Sequence, residues 1–254
     1  MNTAAYVAGA ERVADDLWLL RGRPRHVFNV YVMGDVLVDA ATRHDARRIL
    51  RQVRGLPLRA HVLTHAHLDH MGASHAVCTE LGLPLLCGER DVEAAETGGL
   101  ATLGQKPLPV RLQHRLLAGP GQRVADVLRE GDRVGGFDVL EVPGHSPGHV
   151  AFWRERDRVL VLGDVLFNLG PTGVGLRLPP GFLTADPATN LESARRLAAL
   201  DPATVCFGHG PPLREPGALN AYVASLSAAT PRSAPSPRWK KSHTSTTLPS
   251  GSSR

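Results

Sequence analysis

The feature that most constrains what this chain can fold into is a histidine-rich segment, THAHLDH, that starts at Thr64. The apolar residues that lead into it, AHVLT, have the length of a short buried strand, so the segment begins where a strand ends. Residues two apart point to the same side of an extended chain, which lets His65 and His67 bind one ion. Asp69 and His70 lie on the turn into the next predicted helix and can face a second ion. Because imidazole nitrogen and carboxylate oxygen suit zinc, iron and similar ions, the segment predicts a metal site.

This segment resembles the His-x-His-x-Asp-His signature of the metallo-β-lactamase superfamily, and three later segments resemble that family's other motifs in the same order. VPGHSPGH, which contains His145, resembles the turn whose first histidine binds metal. VLGDVLF, which contains Asp164, resembles the Gly-Asp motif that supplies a bridging carboxylate. FGHG, which contains His209, resembles the final Gly-His-Gly. Asp39 matches an early aspartate of the family, although two alanines follow it where the family often has Thr-Gly.

The resemblance implies two divalent metal ions, with zinc expected first and iron or manganese as alternatives. The implied ligands are His65, His67 and His145 for the first ion, Asp69, His70 and His209 for the second, and Asp164 as the bridge. The implied catalytic residues are Asp69, which anchors the nucleophile, and Asp39, which fixes a ligating imidazole. The implied fold class is α+β, an αββα sandwich in which two mixed β-sheets pack face to face with helices outside.

The activity implied by the resemblance is hydrolysis of a small-molecule thioester or ester by a hydroxide that bridges the two metal ions. The GDVLF stretch is closest to the glyoxalase II-like thioester hydrolases. The chain departs from them after Phe167, where NLGPTG replaces a stretch with Cys-Gly-Arg or Gly-Arg. The residues after His209 are also too few for the helical domain that contacts glutathione in the larger enzymes. Glutathione is therefore not the expected carrier.

Three other functions remain open at the level of the sequence. One is a lactonase. Another is a persulfide dioxygenase, in which a single iron would use His65, His145 and Asp164; the Gly-Arg-x-Asp stretch that normally accompanies that activity is missing here. The third is a binding protein without catalysis, which the intact ligand set disfavours.

Composition narrows the class of partner. The net charge of +5 lies in the last 24 residues, which carry five basic side chains and no acid, so 24 basic and 24 acidic residues remain in the body. We therefore expect a small-molecule substrate and neither nucleic acid nor membrane as partner, with the oligomeric state open. Three cysteines without paired spacing and an N-terminus without signal-peptide features predict a cytoplasmic protein.

The same composition divides the chain into two parts. Residues 1–228 are expected to form the metallo-β-lactamase-type domain, and residues 229–254 a disordered basic tail rich in serine and proline. Four helices are predicted within the domain: His44–Val53, Met71–Leu81, Asp186–Leu200 and Leu213–Ala228. The Gly/Pro-punctuated stretch Thr97–Gln122 lacks periodicity and is expected to be irregular.

Overall fold

A computed structural model of the protein describes residue 7 and residues 9–99, 108–170 and 173–228. The strands in these residues form two sheets, one with the order β1-β2-β3-β4-β5-β6-β7 and the other β12-β11-β10-β9-β8. The strands of the first sheet are β1 (Glu11–Ala14), β2 (Leu17–Leu19), β3 (Tyr31–Met33), β4 (Val36–Val38), β5 (Ala60–Val62), β6 (Leu85–Gly88) and β7 (Val124–Leu128). Those of the second are β8 (Arg133–Val134), β9 (Phe137–Glu141), β10 (Val150–Arg154), β11 (Val159–Val161) and β12 (Thr204–Cys206).

Seven α-helices accompany the two sheets in the described residues. They are α1 (Ala46–Gln52), α2 (Leu68–Met71), α3 (Ser74–Leu81), α4 (Val92–Thr97), α5 (Leu108–Leu117), α6 (Pro187–Ala198) and α7 (Ala218–Ala228). Ile49 of α1 packs on the first sheet, and Leu197 of α6 packs on the second. Between the sheets, side chains such as Tyr31 and Phe152 form one buried core. The predicted α+β class and the αββα sandwich are confirmed.

Strand direction brings the ends of several strands to one edge of the sandwich. Strands β4, β5 and β6 run parallel, as do β11 and β12. The backbone N–H of Val150, where β10 begins, donates to the Thr64 carbonyl just after β5, at 2.9 Å, which places the corresponding ends of the two sheets together. The loops after β4, β5, β11 and β12 therefore share one edge, and they carry Asp39, the histidine-rich segment, Asp164 and His209.

Local signals account for where several helices begin and end. Helix α6 starts after Asp186, whose carboxylate accepts from the N–H groups of Ala188 and Thr189 as an N-cap. Helix α3 ends at Gly82, which has a φ of +66°. The helix predicted over Met71–Leu81 corresponds to α3, which begins at Ser74. Met71 belongs to α2, a separate short helix formed by the turn that presents the metal-binding side chains.

The prediction of an irregular stretch over Thr97–Gln122 is wrong in part, since α5 lies within it. The signal was the spacing of Leu108, Leu112 and Leu116, four residues apart, which prolines at 107 and 109 obscured. Residues 100–107 of this stretch lie outside the described residues, as does the predicted tail over 229–254. Across the described ranges, no helix has both the length and the apolar character needed to cross a bilayer.

Candidate metal centre

Three histidine nitrogens converge at the edge where the two sheets meet. His65 Nε2 lies 3.0 Å from His67 Nδ1, which in turn lies 3.0 Å from His145 Nε2. The His65 and His145 side chains are buried. Ligand nitrogens around a tetrahedral ion with bonds of about 2.0–2.1 Å are separated by roughly 3.3 Å. The observed spacing is close to that value, so these three nitrogens fit one divalent ion.

The hydrogen-bond partners of these rings show which nitrogens carry lone pairs. The Thr64 hydroxyl donates to Asp39 Oδ2 at 2.9 Å, so it accepts from His65 Nδ1 at 3.1 Å. The Thr184 hydroxyl donates to the Pro180 carbonyl and accepts from His145 Nδ1 at 3.4 Å. In both rings the proton is therefore on Nδ1, and Nε2 faces the cluster as a lone pair. Both lone pairs face His67 Nδ1 at 3.0 Å, so the three nitrogens can share either a proton on His67 or a metal cation.

Asp164 joins this group to a second one. Its Oδ2 atom lies within 3.1–3.8 Å of the Nε2 atoms of four histidines: His65, His70, His145 and His209. Its Oδ1 atom is buried and has no hydrogen-bond partner in the described structure. A Cβ at Gly208 would lie 2.0 Å from Oδ1, so only glycine allows this close approach. The carboxylate thus has the position of a bridge between two ions.

The second group consists of Asp69, His70 and His209. His70 Nδ1 donates to Asp39 Oδ2 at 2.8 Å, which leaves His70 Nε2 buried and without a hydrogen-bond partner among the described residues. His209 Nδ1 donates to the Val27 carbonyl, and its Nε2 lies 3.4 Å from Asp69 Oδ2. Both rings therefore turn Nε2 toward the same point, and the ligand atoms of the group lie within 4.8 Å of one another.

The first group is held neutral by its surroundings. Burial lowers the pKa of His145 to about 3 and holds the pKa of His65 well below its ordinary value. Burial raises the pKa of Asp69, but the hydrogen bond from His209 outweighs burial and lowers that pKa to about 2. A neutral imidazole and an ionised carboxylate are the forms that bind metal.

The two histidines of the second group respond to the carboxylates beside them. Burial lowers the pKa of His209, but Asp164 and Asp69 outweigh it and raise the value to about 10. The pKa of His70 is likewise raised well above its ordinary value, because Asp164 and Asp39 outweigh the effect of burial. The carboxylates thus favour a positive charge at this position. A bound proton supplies a single positive charge there, and a divalent cation would supply two.

Asp39 lies behind the cluster and does not reach its open side. Its side chain is buried, and it accepts from His70 Nδ1 and from both the backbone N–H and the hydroxyl of Thr64. Through these contacts it orients His70 directly and His65 by way of Thr64. The structure therefore places Asp39 as a positioning residue, whereas Asp69 is partly exposed at the mouth of the site.

Sequence reasoning missed Asp91. Its buried carboxylate accepts from the backbone N–H of Ala66 at 2.8 Å, the Ser146 hydroxyl at 2.7 Å and the backbone N–H of Gly148 at 2.7 Å. These bonds join the loop of His65 and His67 to the loop of His145. No local pattern around residue 91 indicates such a role.

Two other histidines are buried without belonging to the cluster. His149 Nε2 accepts from the backbone N–H of Asp164 at 3.0 Å, so it positions the bridging carboxylate. Both ring nitrogens of His61 have partners, the Leu37 carbonyl and the Ser74 hydroxyl, which makes it a core residue.

Known proteins are similar to this chain in sequence and architecture. A sequence model of the metallo-beta-lactamase superfamily matches residues 26–209. The chain is 29% identical over 203 residues to the probable metallo-hydrolase YflN of Bacillus subtilis, covering 70% of this chain and 76% of YflN. It is 30% identical over 177 residues to the hydroxyacylglutathione hydrolase GloC of Haemophilus influenzae, covering 65% of this chain and 76% of GloC.

A solved structure agrees with these matches. The crystal structure of TTHA1623 in a di-iron-bound form is similar with a TM-score of 0.59 and 35% identity, over 77% of this chain and 93% of that one. The match of the family model spans all seven residues of the cluster, from His65 to His209. This chain is a member of the metallo-β-lactamase superfamily.

Proposed function

We propose that the protein is a binuclear metallohydrolase that cleaves a thioester or ester bond in a small molecule. The observation that carries this proposal is the position of Asp164 Oδ2, within 3.1–3.8 Å of four histidine Nε2 atoms drawn from both ligand groups. An oxygen that lies between two sets of donors can bind both of two neighbouring cations.

The donors divide between the two ions by their positions. His65, His67 and His145 would hold one ion, Asp69, His70 and His209 the other, and Asp164 both. Bound divalent ions supply a hydroxide nucleophile at neutral pH and polarise the carbonyl under attack. With its pKa of about 2, Asp69 stays ionised at neutral pH and can accept a hydrogen bond from a water molecule at the mouth.

Apolar side chains beside the ligands suit a substrate with an organic acyl group. The ring of Phe167 lies 4.6 Å from that of His209, and the ring of Phe28 lies 5.7 Å from it on an edge. Phe182 is 78% exposed on the segment that leads to Thr184, the partner of His145. The rings of Phe28 and Phe167 can exclude water from around the reacting carbonyl and can contact the acyl chain.

Metal content and substrate choice together test this proposal. Purified protein is analysed for metal and assayed on thioesters, esters, lactones and persulfides. We expect two divalent ions per chain, zinc foremost, with turnover of thioesters or esters that a chelator abolishes and the metal restores. One iron per chain with oxygen consumption on persulfides would instead support a dioxygenase based on His65, His145 and Asp164, and would overturn the proposal.

Replacing Asp39 by alanine is expected to weaken metal binding by about 10- to 100-fold, because His70 and Thr64 lose the acceptor that orients them. Titration of chelator-treated protein with zinc measures the effect. The matched control is Asp35→Ala, since Asp35 forms an exposed ion pair with Arg59. Equal affinities for the Asp39 variant and the wild type would show that this carboxylate does not position the ligands.

Metal binding is expected to strengthen as pH rises through the neutral range. In chelator-treated protein, the raised pKa values of His70 and His209 keep both rings protonated at neutral pH, and a cation must displace those protons. The affinity should fall by roughly 10- to 100-fold for each pH unit of acidification, with up to about two protons released on binding. Calorimetry in two buffers of different ionisation enthalpy measures the release. Binding without proton release would contradict this account.

A further inference from the structure

The loop between β2 and β3 presents three arginines within five residues, and it borders two adjoining clefts of about 430 and 240 Å³. Arg21 lines both clefts. Helix α1 contributes two further arginines to the smaller one. We call the joined clefts the arginine cleft, defined by Arg21, Arg23, Arg25, Arg48 and Arg51.

The positive charge of this cleft is only partly balanced. Two of its arginines pair with Glu11 and Asp45. Within the described residues, Arg21, Arg23 and Arg51 form no ion pair, and all 24 aspartates and glutamates of the chain lie in the described ranges. Five guanidinium groups against two carboxylates leave an excess of three positive charges. The balanced charge of the body as a whole conceals this concentration.

Hydrogen bonds among residues that line the cleft hold Arg21 against helix α1 in the ligand-free protein. Arg48 donates from Nε to Asp45 and from Nη1 to the Arg21 carbonyl at 2.7 Å. Gln52 accepts from the Arg21 N–H at 2.8 Å and donates to its carbonyl at 3.2 Å. The loop is therefore held against α1 at this point, which reduces the ordering cost of binding an anion.

The arginine cleft lies at the same edge of the first sheet as the metal centre. Leu19, at the end of β2, pairs with Tyr31 at the start of β3, and Tyr31 pairs with Val38 just before Asp39. Farther along the same loop, the carbonyl of His26 accepts from the Gly210 N–H, and Val27 accepts from His209. One short loop thus separates the cleft from the metal ligands.

We propose that the arginine cleft binds the phosphorylated end of the carrier group in the substrate, so that the substrate is an acyl thioester of a phosphorylated thiol. This inference rests on the proposed hydrolase function. Guanidinium groups bind phosphate through paired hydrogen bonds. A glutathione carrier has two carboxylates and an ammonium group, which leave a single net negative charge. A carrier with several phosphate charges matches the excess of three better.

The first test measures binding directly and needs no turnover. Calorimetry on the metal-loaded enzyme uses desulfo-coenzyme A, which has the phosphates but no thiol to bind metal. Relative to wild type, we expect Arg21→Gln/Arg51→Gln to bind it at least about tenfold more weakly. The control is Arg156→Gln, an exposed arginine in the turn between β10 and β11, at the opposite end of the sheet. Unchanged binding in the double variant, or an equal loss in the control, would overturn the proposal.

The second test compares acetyl-coenzyme A with its neutral analogue S-acetyl-N-acetylcysteamine and with S-lactoylglutathione. In the double variant, KM for acetyl-coenzyme A should rise at least about tenfold with kcat unchanged, while the neutral thioester keeps its wild-type constants. Equal changes for all substrates, or tighter binding of an oligonucleotide than of desulfo-coenzyme A, would overturn the proposal. If neither thioesters nor esters are hydrolysed, the proposed function fails, and calorimetry still decides whether the cleft binds phosphate groups.

Discussion

Replacing Asp164 by asparagine is expected to lower kcat/KM at least about a thousandfold and to reduce the metal content below two ions per chain. Asparagine keeps the size of the side chain but removes the negative charge that faces four histidine nitrogens. It also replaces one carboxylate oxygen with an NH₂ group, which cannot coordinate a cation. Because Oδ2 lies close to donors of both groups, the loss should affect both ions together.

A matched control variant shows whether the effect depends on the position of Asp164 or follows the loss of any carboxylate. Asp138→Asn removes an exposed ion pair with Arg133 at the start of β9, at the end of the sheet far from the metal centre. Its metal content and activity should equal those of the wild type. Two ions and near-normal turnover in the Asp164 variant would reject the bridging role.

Replacing Asp91 by alanine is expected to lower the free energy of unfolding by about 3–5 kcal/mol, because three buried donors lose their acceptor at once. For a domain of this size the melting temperature should fall by roughly 6–20 °C. The same change frees the loop of His145 from the loop of His65 and His67, so metal affinity should fall with stability. Thermal unfolding and zinc titration measure the two effects.

The control for Asp91 lies two residues away. Glu89 lies in the same turn as Asp91 and forms an exposed ion pair with Arg129. Its replacement by alanine should leave both the stability and the metal affinity unchanged. Ser146→Ala removes one of the three hydrogen bonds and should cost about 1 kcal/mol. Wild-type metal affinity in the Asp91 variant, despite lower stability, would mean that the carboxylate supports the fold without positioning the ligands.

The ligand residues could be predicted because metal chemistry requires particular side chains in short motifs, and each motif is continuous in the sequence. The sandwich followed from the resemblance those motifs carry. Asp91 could not be found in the same way, because its partners lie 25, 55 and 57 residues away along the chain. Only the packing of the two sheets brings these backbone groups to one carboxylate.

The segment before β3 shows a second limit of pattern reading. Its apolar residues favour a strand from Val27, yet β3 begins at Tyr31. The earlier residues contact the loop of His209 instead: Val27 accepts from the His209 ring, and Asn29 Nδ2 donates to the carbonyls of Phe207 and Gly210. The backbone that periodicity assigns to the sheet is therefore used at the site, where Val27 and Asn29 support the loop of His209. The arginine cleft could not be predicted from the net charge, because a sum of charges does not show which of them lie together in the fold.

Anomalous X-ray diffraction from crystals of the metal-loaded protein can locate the two cations that the seven side chains are proposed to hold, with Asp164 between them. Data collected on either side of the absorption edge of the metal should show two peaks about 3.5–4 Å apart. One should lie among His65, His67 and His145, the other among Asp69, His70 and His209, with an oxygen of Asp164 bound to both. A single peak, or two peaks with Asp164 bound to neither, would show that the seven side chains do not form a binuclear centre bridged by Asp164.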